Sequence, residues 1–246
     1  MKARLFATTL LALAAASAQA QAIQGVTEFS SYTYLQDGRV AGPATEIVES
    51  SLRGAGLADY RLGVYPWARA YDMAQKEPNV LIFLIARTPA REALFKWVGE
   101  FMTIEYHFYK LKARKDIVVK SLDDARQYTI GVTRDDIRHQ YLQAKGFTRL
   151  VVSGENLEKF RKLVNGQVQL TPFPATDVAA LCKEAKFDCD QLERAHPLEG
   201  LSMSLYMAYS AATTDATVAR TRAAFDRLRA DGTVKRLMTP PNAARP

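Results

Sequence analysis

The chain has 246 residues, of which 48% are hydrophobic and 24% are charged, and its formal net charge is +7. This is ordinary globular composition, and the length suffices for two small lobes. The basic residues are interspersed with acids, whereas a nucleic-acid-binding protein shows a denser basic face with exposed aromatic side chains. We therefore expect a solvated surface and no nucleic-acid partner.

Residues 1–22 have the pattern of a secretory signal peptide. Lys2 and Arg4 precede an apolar run too short to span a bilayer, and the small-residue cleavage site Ala18-Gln19-Ala20 follows it. Ala20-Gln21-Ala22 is a second possible cleavage site, and the choice stays open. No later apolar run has the length of a transmembrane helix. We therefore expect export to the periplasm.

Strands and helices alternate along the first part of the mature chain. In chain order we predict a strand at 26–30, a turn at Asp37-Gly38, a helix around 47–52, a strand at 60–64, a helix from Pro66-Trp67 to about 75, a strand at 80–85 and a helix beginning at Thr88-Pro89. Such alternation indicates a parallel α/β lobe, in which ligands bind at the carboxyl ends of the strands.

A second block repeats this order of elements. It consists of predicted strands at 106–113, 128–132, 150–152 and 168–170, a short helical segment at 122–124, a helix that follows Thr133-Arg134-Asp135-Asp136, and a helix at 156–165. Later in the chain an extended apolar run at 205–210 precedes a helix at 216–230.

The segment Ala86-Arg87-Thr88-Pro89-Ala90-Arg91 carries the clearest functional signal. It follows the apolar strand at 80–85, and Thr88 and Pro89 suit the cap and the first position of a helix. An arginine just inside a helix start is unfavourable for the helix dipole, and a bound anion would remove the conflict. On the sequence alone, however, such an arginine is more often a solvated surface residue.

This segment resembles the Ser/Ala-x-Thr-Pro-x-Arg motif of family 3 bacterial extracytoplasmic solute-binding proteins, the polar amino-acid-binding components of ABC transporters. The strand at 206–210 and the helix that ends in the sequence from Leu228 to Leu237 are similar to the C-terminal pattern of that family. The segment from Ser121 to Val132 resembles the family's entry into its second lobe.

The resemblance implies the type II periplasmic binding protein fold. This is an α/β fold with two lobes, each a mixed and mostly parallel sheet flanked by helices, joined by two hinge crossovers. We expect lobe one to comprise residues 23–104 plus 208–246, and lobe two to comprise residues 105–207. Closure of the hinge on a ligand would follow.

The resemblance also implies ligand-binding residues in lobe one. Arg91 matches the arginine that grips the ligand's α-carboxylate, and Thr88 either bonds the same carboxylate or only caps the helix. Trp67 matches an aromatic stacking platform, although a core role is the alternative. Tyr32 and Tyr34 either contact the ligand or lie in a surface loop.

In lobe two, Thr133, Arg134 and Asp135 match the helix start that caps the ligand in the family, where Gly-Ser/Thr-Thr is usual. The acid that pairs with the ligand's ammonium in that family aligns near Pro174 in this chain. Asp135 or Asp177 substitutes for it, or the ligand carries no α-ammonium. These alternatives stay open.

The cysteines could form a disulfide, and cysteines and histidines together could bind a metal ion. Cys182 and Cys189 form a closely spaced pair, and export favours a disulfide over two free thiols. His107, His139 and His196 are far apart, and none has metal-ligand spacing from a cysteine. We expect no metal and no cofactor.

We therefore expect a monomeric periplasmic solute-binding protein that captures an amino acid or similar small carboxylate for an ABC permease in the inner membrane. One alternative is an enzyme on the same fold that resembles cyclohexadienyl dehydratases, and another is a ligand-sensing module. A dehydratase needs a positioned acid in the cleft, and no acid stands at a clearly matching position. The absence of nucleophile-elbow, phosphate-loop and zinc-protease motifs favours binding over catalysis.

Overall fold

The computed structural model describes residues 22–239. The expected signal peptide lies almost entirely outside these residues. The first elements in chain order are β1 (Ile23–Thr27), β2 (Tyr34–Gln36), β3 (Arg39–Ala41), α1 (Pro43–Gly54), β4 (Tyr60–Val64), α2 (Trp67–Lys76), β5 (Val80–Ala86), a 3-10 helix (Pro89–Leu94) and β6 (Phe95–Leu111).

The remaining elements begin with a second 3-10 helix (Asp123–Gln127). They continue with β7 (Ile130–Thr133), α3 (Ile137–Ala144), β8 (Leu150–Ser153), α4 (Asn156–Val164), β9 (Thr171–Pro174), α5 (Ala175–Ala185), a third 3-10 helix (Cys189–Gln191), β10 (Leu192–Ser210), α6 (Asp215–Ala230) and α7 (Thr233–Met238).

One mixed sheet runs through both lobes, in the strand order β4-β1-β5-β10-β6-β9. β1 pairs in parallel with β4 and β5, whereas β10 is antiparallel to β5 and β6. The long strands β6 and β10 carry the sheet from the first lobe into the second, where β9 pairs with β6 and a separate parallel pair joins β7 to β8. The α/β, two-lobed fold expected from the sequence is thus confirmed.

The first lobe buries both faces of its sheet, which explains why β5 is apolar throughout. Helices α1, α6 and α7 cover one face around Ile47, Phe83 and Phe225, and α2 covers the other face around Ala70 and Ile82. The second lobe has its own two cores, one beneath α3 and the other between α4 and α5. The cleft between the lobes lies at the carboxyl ends of β1 and β5.

The segment after β5 differs from the expected helix. Pro89–Leu94 forms a 3-10 helix, and β6 begins directly afterwards at Phe95. The buried side chains of Phe95 and Trp97 pack into the sheet core, and β10 pairs with this part of β6. Thr88 precedes the 3-10 helix, but its side chain makes no capping hydrogen bond.

Two further sequence predictions can be compared directly with the structure. The disulfide between Cys182 and Cys189 is confirmed, and it joins the end of α5 to the third 3-10 helix. The first strand, expected at 26–30, instead spans Ile23–Thr27. The chain turns after Thr27 because the Ser30 and Thr33 backbones pair in a tight loop. This loop forms part of the cleft wall.

Candidate functional site

A cavity of about 70 Å³ lies between the two lobes. The loops after β1 and β5 and the start of α2 line it from the first lobe. The starts of α3, α4 and α5 line it from the second lobe. Carboxyl ends of strands and amino ends of helices are the usual ligand-binding elements of α/β proteins, because free backbone N–H groups point at the site.

Arg91 is the most deeply buried charged group that lines this cavity, with 1% of its surface exposed. Its Nη1 donates to the main-chain oxygen of Ala86 at 3.3 Å, and its Nη2 donates to that of Asp135 at 2.8 Å. Its Nε has no hydrogen-bond partner in the described chain. The guanidinium lies over the rings of Tyr71 and Trp67, 4.8 and 5.5 Å from their centroids.

Arg91 therefore has a free Nε–H group and no carboxylate partner among residues 22–239. A buried charge without a counter-charge is costly, so buried charges in proteins are normally paired. The two carbonyl oxygens compensate only part of that cost. An anion in the cavity would supply the missing charge and accept the free N–H.

Three other side chains that line the cavity also have buried polar atoms without a partner in the described residues. They are the hydroxyl of Tyr32, the indole Nε1 of Trp67 and the hydroxyl of Thr176. Burial raises the pKa of Tyr32, and an interaction of its hydroxyl with that of Thr176 offsets part of this rise, so these two hydroxyls lie close to each other. Unpartnered buried polar atoms are uncommon in folded proteins, and their concentration in one cavity points to a ligand.

A buried ion pair forms the second-lobe wall. Arg138 donates from Nε and Nη2 to the two carboxylate oxygens of Asp136, at 2.5 and 2.8 Å. Burial would raise the pKa of Asp136, but Arg138 outweighs it and lowers that pKa to about 2. Arg138 also donates to the side-chain oxygen of Asn156 and the main-chain oxygen of Pro172. This guanidinium, unlike that of Arg91, is already satisfied.

Two acids link the lobes across the cleft. The carboxylate of Glu28 accepts hydrogen bonds from the backbone N and the Nδ2 of Asn156, at 2.8 and 2.7 Å. Asp177 accepts from the hydroxyl of Ser31 at 2.9 Å. Burial raises the pKa of Glu28 to about 8 and also raises the pKa of Asp177. Together with the Arg91–Asp135 bond, these contacts hold the lobes against each other.

Lys159 lies behind the ion pair, with no exposed surface. Its Nζ is 3.4 Å from the main-chain oxygen of Pro172 and 4.3 Å from the centroid of the Phe173 ring. Burial lowers the pKa of Lys159 well below its ordinary value. Burial therefore favours the neutral amine, and Lys159 does not line the cavity.

The first-lobe residues singled out from the sequence fall into two groups. Arg91, Trp67 and Tyr32 line the cavity together. Thr88 is buried nearby with an unpartnered hydroxyl, but it is not among the lining residues. Tyr34 lies in β2, half-buried and outside the cavity wall.

The second-lobe residues singled out from the sequence lie at the edge of the site. Thr133 is buried and donates to the side-chain oxygen of Asn156 at 3.2 Å, behind the wall. Arg134 is exposed, and so is Asp135, whose main-chain oxygen nevertheless receives the Arg91 bond. Asp177, weighed as a substitute for the family's acid, does line the cavity.

The wall also contains charged and amide side chains that were not predicted from the sequence, among them Glu28, Asp136, Arg138 and Asn156. Each lies just after a strand or at the start of a helix, where α/β proteins bind ligands. That position was a signal available in the sequence, but it does not show which polar residues turn inward.

No cluster of three or more His, Cys, Asp or Glu side chains within residues 22–239 has the arrangement of a metal site. Among the helices in this part of the chain, none combines the length and apolarity needed to cross a membrane.

Several solved structures are similar to this chain. The arginine-, lysine-, histidine-binding protein ArtJ of Geobacillus stearothermophilus superposes with a TM-score of 0.76 at 16% identity, over 90% of this chain and 97% of ArtJ. The amino acid ABC transporter substrate-binding protein AbpA of Streptococcus pneumoniae, bound to L-arginine, gives 0.75 at 15% identity, over 88% and 92%.

A histidine kinase sensor domain with similarity to periplasmic binding proteins gives a TM-score of 0.75 at 16% identity, over 88% of this chain and 94% of that domain. No protein-family model matches the sequence, and no curated protein matches it either. At these identities the likeness establishes the fold, which is that of the periplasmic binding proteins.

Proposed function

We propose that this chain is a periplasmic solute-binding protein that captures an amino acid or similar small carboxylate between its lobes and delivers it to an ABC permease in the inner membrane. The solved structures with this fold include amino-acid-binding components of ABC transporters, which supports solute binding in general. The export signal expected at residues 1–22 supports the location.

The observation that carries the proposal is the state of Arg91. Its guanidinium is buried at the cleft, lacks an acidic partner in the described chain and keeps Nε free. A planar guanidinium binds a carboxylate through directed N–H bonds, and such charge-assisted bonds are roughly twice as strong as neutral ones. A ligand carboxylate would therefore be held firmly in this cavity.

The proposed lobe limits are residues 23–104 plus 208–246 and residues 105–207. Hinge bending would occur where β6 and β10 cross between the lobes, and their pairing register shifts repeatedly along this stretch. Because a ligand would contact both lobes only when they meet, it would favour the closed arrangement.

A thermal-shift experiment on the mature chain tests the proposal. A panel of small carboxylates should contain at least one member that raises the melting temperature, by about 5–10 °C when present at one hundred times its dissociation constant. Arg91→Ala should abolish this shift. Arg53→Ala, which removes a surface guanidinium on α1, is the matched control and should keep it. An undiminished shift in Arg91→Ala would contradict the assignment.

One observation favours a second candidate, an enzyme similar to cyclohexadienyl dehydratases. No acid of the sequence clearly matches a catalytic position of those enzymes, but the carboxyl of Glu28 lies in the cleft, and burial raises its pKa to about 8. Such a group could serve as a general acid near neutral pH. Incubation with prephenate or arogenate should give no turnover. Saturable product formation that Glu28→Gln abolishes would establish the enzyme instead.

A further inference from the structure

Asp177 differs from the two other acids of the cavity wall, Glu28 and Asp136, in how its carboxylate is engaged. Both oxygens of Asp136 accept from Arg138, and both oxygens of Glu28 accept from Asn156. Asp177 accepts only through Oδ1, and its Oδ2 has no hydrogen-bond partner in the described residues. Since Oδ2 is not among the fully enclosed unpartnered atoms, it is a free acceptor that the cavity can reach.

Ser31 of the first lobe holds this second-lobe carboxylate from across the cleft. Its backbone N and its hydroxyl donate to the same oxygen of Asp177, Oδ1, at 3.3 and 2.9 Å. Two donors on one oxygen fix the orientation of the carboxylate and leave the other oxygen to a further donor. Burial raises the pKa of Asp177, and the two Ser31 bonds oppose this rise, so Ser31 favours the ionised carboxylate.

Arg91 and Asp177 present opposite charges to one cavity without pairing with each other. The partners of the Arg91 guanidinium are two main-chain oxygens, and those of the Asp177 carboxylate are the two donors of Ser31. Arg91 Nε and Trp67 Nε1, on side chains more than nine-tenths buried, have no partner within residues 22–239. Buried charges are normally paired, and a ligand with one anionic and one cationic group would pair with both.

We propose that the ligand is an amino carboxylate whose ammonium group binds Oδ2 of Asp177 and that Ser31 is the positioning residue for this carboxylate, an inference that rests on the proposed function and specifies its ligand. Arg91 holds the ligand's carboxylate from the first lobe, and Asp177 holds the ammonium from the second. The bonds from Ser31 to Asp177 form only when the lobes meet, so closure itself orients the acceptor for the ammonium.

Isothermal titration calorimetry with matched acids tests this inference. Each pair joins an amino acid to the hydroxy acid with the same carbon skeleton: alanine and lactate, aspartate and malate, glutamate and 2-hydroxyglutarate, phenylalanine and 3-phenyllactate, β-alanine and 3-hydroxypropionate. We expect at least one amino acid to bind the wild type at least about tenfold more tightly than its hydroxy counterpart, because a charge-assisted bond to a carboxylate is stronger than a neutral one.

Asp177→Asn tests the acceptor, because it keeps the shape of the side chain and removes its charge. It should weaken binding of the preferred amino acid by about tenfold and change the affinity for the hydroxy acid by less than about threefold. Asp190→Asn neutralises an exposed acid of the same lobe outside the cavity wall. It is the matched control and should bind both acids as the wild type does.

Ser31→Ala tests the positioning role. It removes the hydroxyl bond to Oδ1 and should reduce the preference for the amino acid over the hydroxy acid by about threefold to tenfold. Ser31→Thr keeps a hydroxyl and should restore the wild-type preference. Ser202→Ala, which removes an exposed hydroxyl outside the cavity wall, is the control. An equal loss of affinity for both acids in Ser31→Ala would show that Ser31 only holds the lobes together.

The outcomes separate this inference from the proposed function. Hydroxy acids that bind the wild type as tightly as their amino counterparts overturn the ligand class and leave carboxylate capture at Arg91 standing. An amino-acid preference that survives in Asp177→Asn overturns the role of Asp177. If no acid of either series binds the wild type, the proposed function itself fails. Melting temperatures identify a variant that does not fold, and the variants at the other residue then carry the test.

Discussion

Arg91 in the first lobe donates to the main-chain oxygen of Asp135 in the second lobe, with 2.8 Å between Nη2 and the oxygen. The same guanidinium is the proposed ligand anchor. Asp135 has a positive φ of 58°, a backbone conformation uncommon for residues other than glycine. The loop before α3 thus turns its carbonyl towards Arg91, and a bound carboxylate would share the guanidinium with that carbonyl. Ligand binding and lobe contact meet at one side chain.

Asn156→Ala is expected to loosen the lobes. The substitution removes the Nδ2 bond to Glu28 and leaves the hydroxyl of Thr133 and one N–H of Arg138 without their shared acceptor. We expect a larger radius of gyration by small-angle X-ray scattering and a stability loss of about 2 kcal/mol, which lowers the melting temperature by about 4–8 °C. Asn165→Ala, at the exposed far end of α4, is the control. An unchanged radius of gyration in Asn156→Ala would contradict the conclusion that Asn156 holds the two lobes together.

Glu28 is expected to make stability depend on pH. Burial raises its pKa from 4.5 to about 8, so between these values the Glu28 carboxyl is protonated more in the folded chain than in the unfolded chain. The contribution of Glu28 to the free energy of unfolding is therefore fully present below pH 4.5 and is lost as the pH rises towards 8.

Glu28→Gln removes the contribution of this carboxyl, whereas the lowered pKa of Lys159, which interacts electrostatically with Glu28, acts with the opposite sign. We expect the melting temperature of the wild type to fall by at least about 3 °C more than that of Glu28→Gln between pH 5 and pH 8.5. Parallel curves for the two proteins would show that Glu28 titrates normally.

Gly42→Ala is expected to destabilise the first lobe strongly. Gly42 has a φ of 116°, and a Cβ built there would lie 2.4 Å from the main-chain oxygen of Tyr32. The backbone of the cavity residue Tyr32 would have to move, at a cost of about 3 kcal/mol in urea denaturation. Gly38→Ala is the matched control, since Gly38 also has a positive φ but nothing lies within 4 Å of its Cβ position. It should cost about 1 kcal/mol.

Replacing Cys182 and Cys189 together by serine is expected to lower stability by about 2 kcal/mol, because the short disulfide loop restricts the unfolded chain. Denaturant unfolding with and without a reductant measures this effect in the wild type. The double variant should be insensitive to reductant. Since the disulfide lies beside the core between α4 and α5, ligand affinity should stay unchanged.

Local patterns predicted most first-lobe elements accurately. The strand Tyr60–Val64 matches its predicted range, and the helix Trp67–Lys76 extends only one residue beyond the predicted end. The apolar run at 80–85 predicted a buried strand because both faces of β5 are covered. The segment after Thr88 was harder to predict, since a cap residue followed by proline also suits the start of a short 3-10 helix.

The residues of the candidate site were harder to predict from the sequence than the fold was. Arg91 was found through a resemblance, because an arginine on a helix gives no local sign of burial. The bond between Glu28 and Asn156 joins residues 128 positions apart, and no periodicity reports such a pairing. The sequence around Lys159 and Arg138 carries no local sign of burial, yet tertiary packing buries both.

The position of β10 between β5 and β6 has a consequence for how the protein is made. While the polypeptide emerges, β5 and β6 have no mutual pairing until the segment around Leu205 to Ser210 arrives. Until then the apolar strand Val80–Ala86 has an open edge towards that gap, and such edges promote aggregation. Premature termination before residue 205 should therefore yield insoluble fragments, and the nascent chain would depend on chaperones until residues 205–210 have been synthesised.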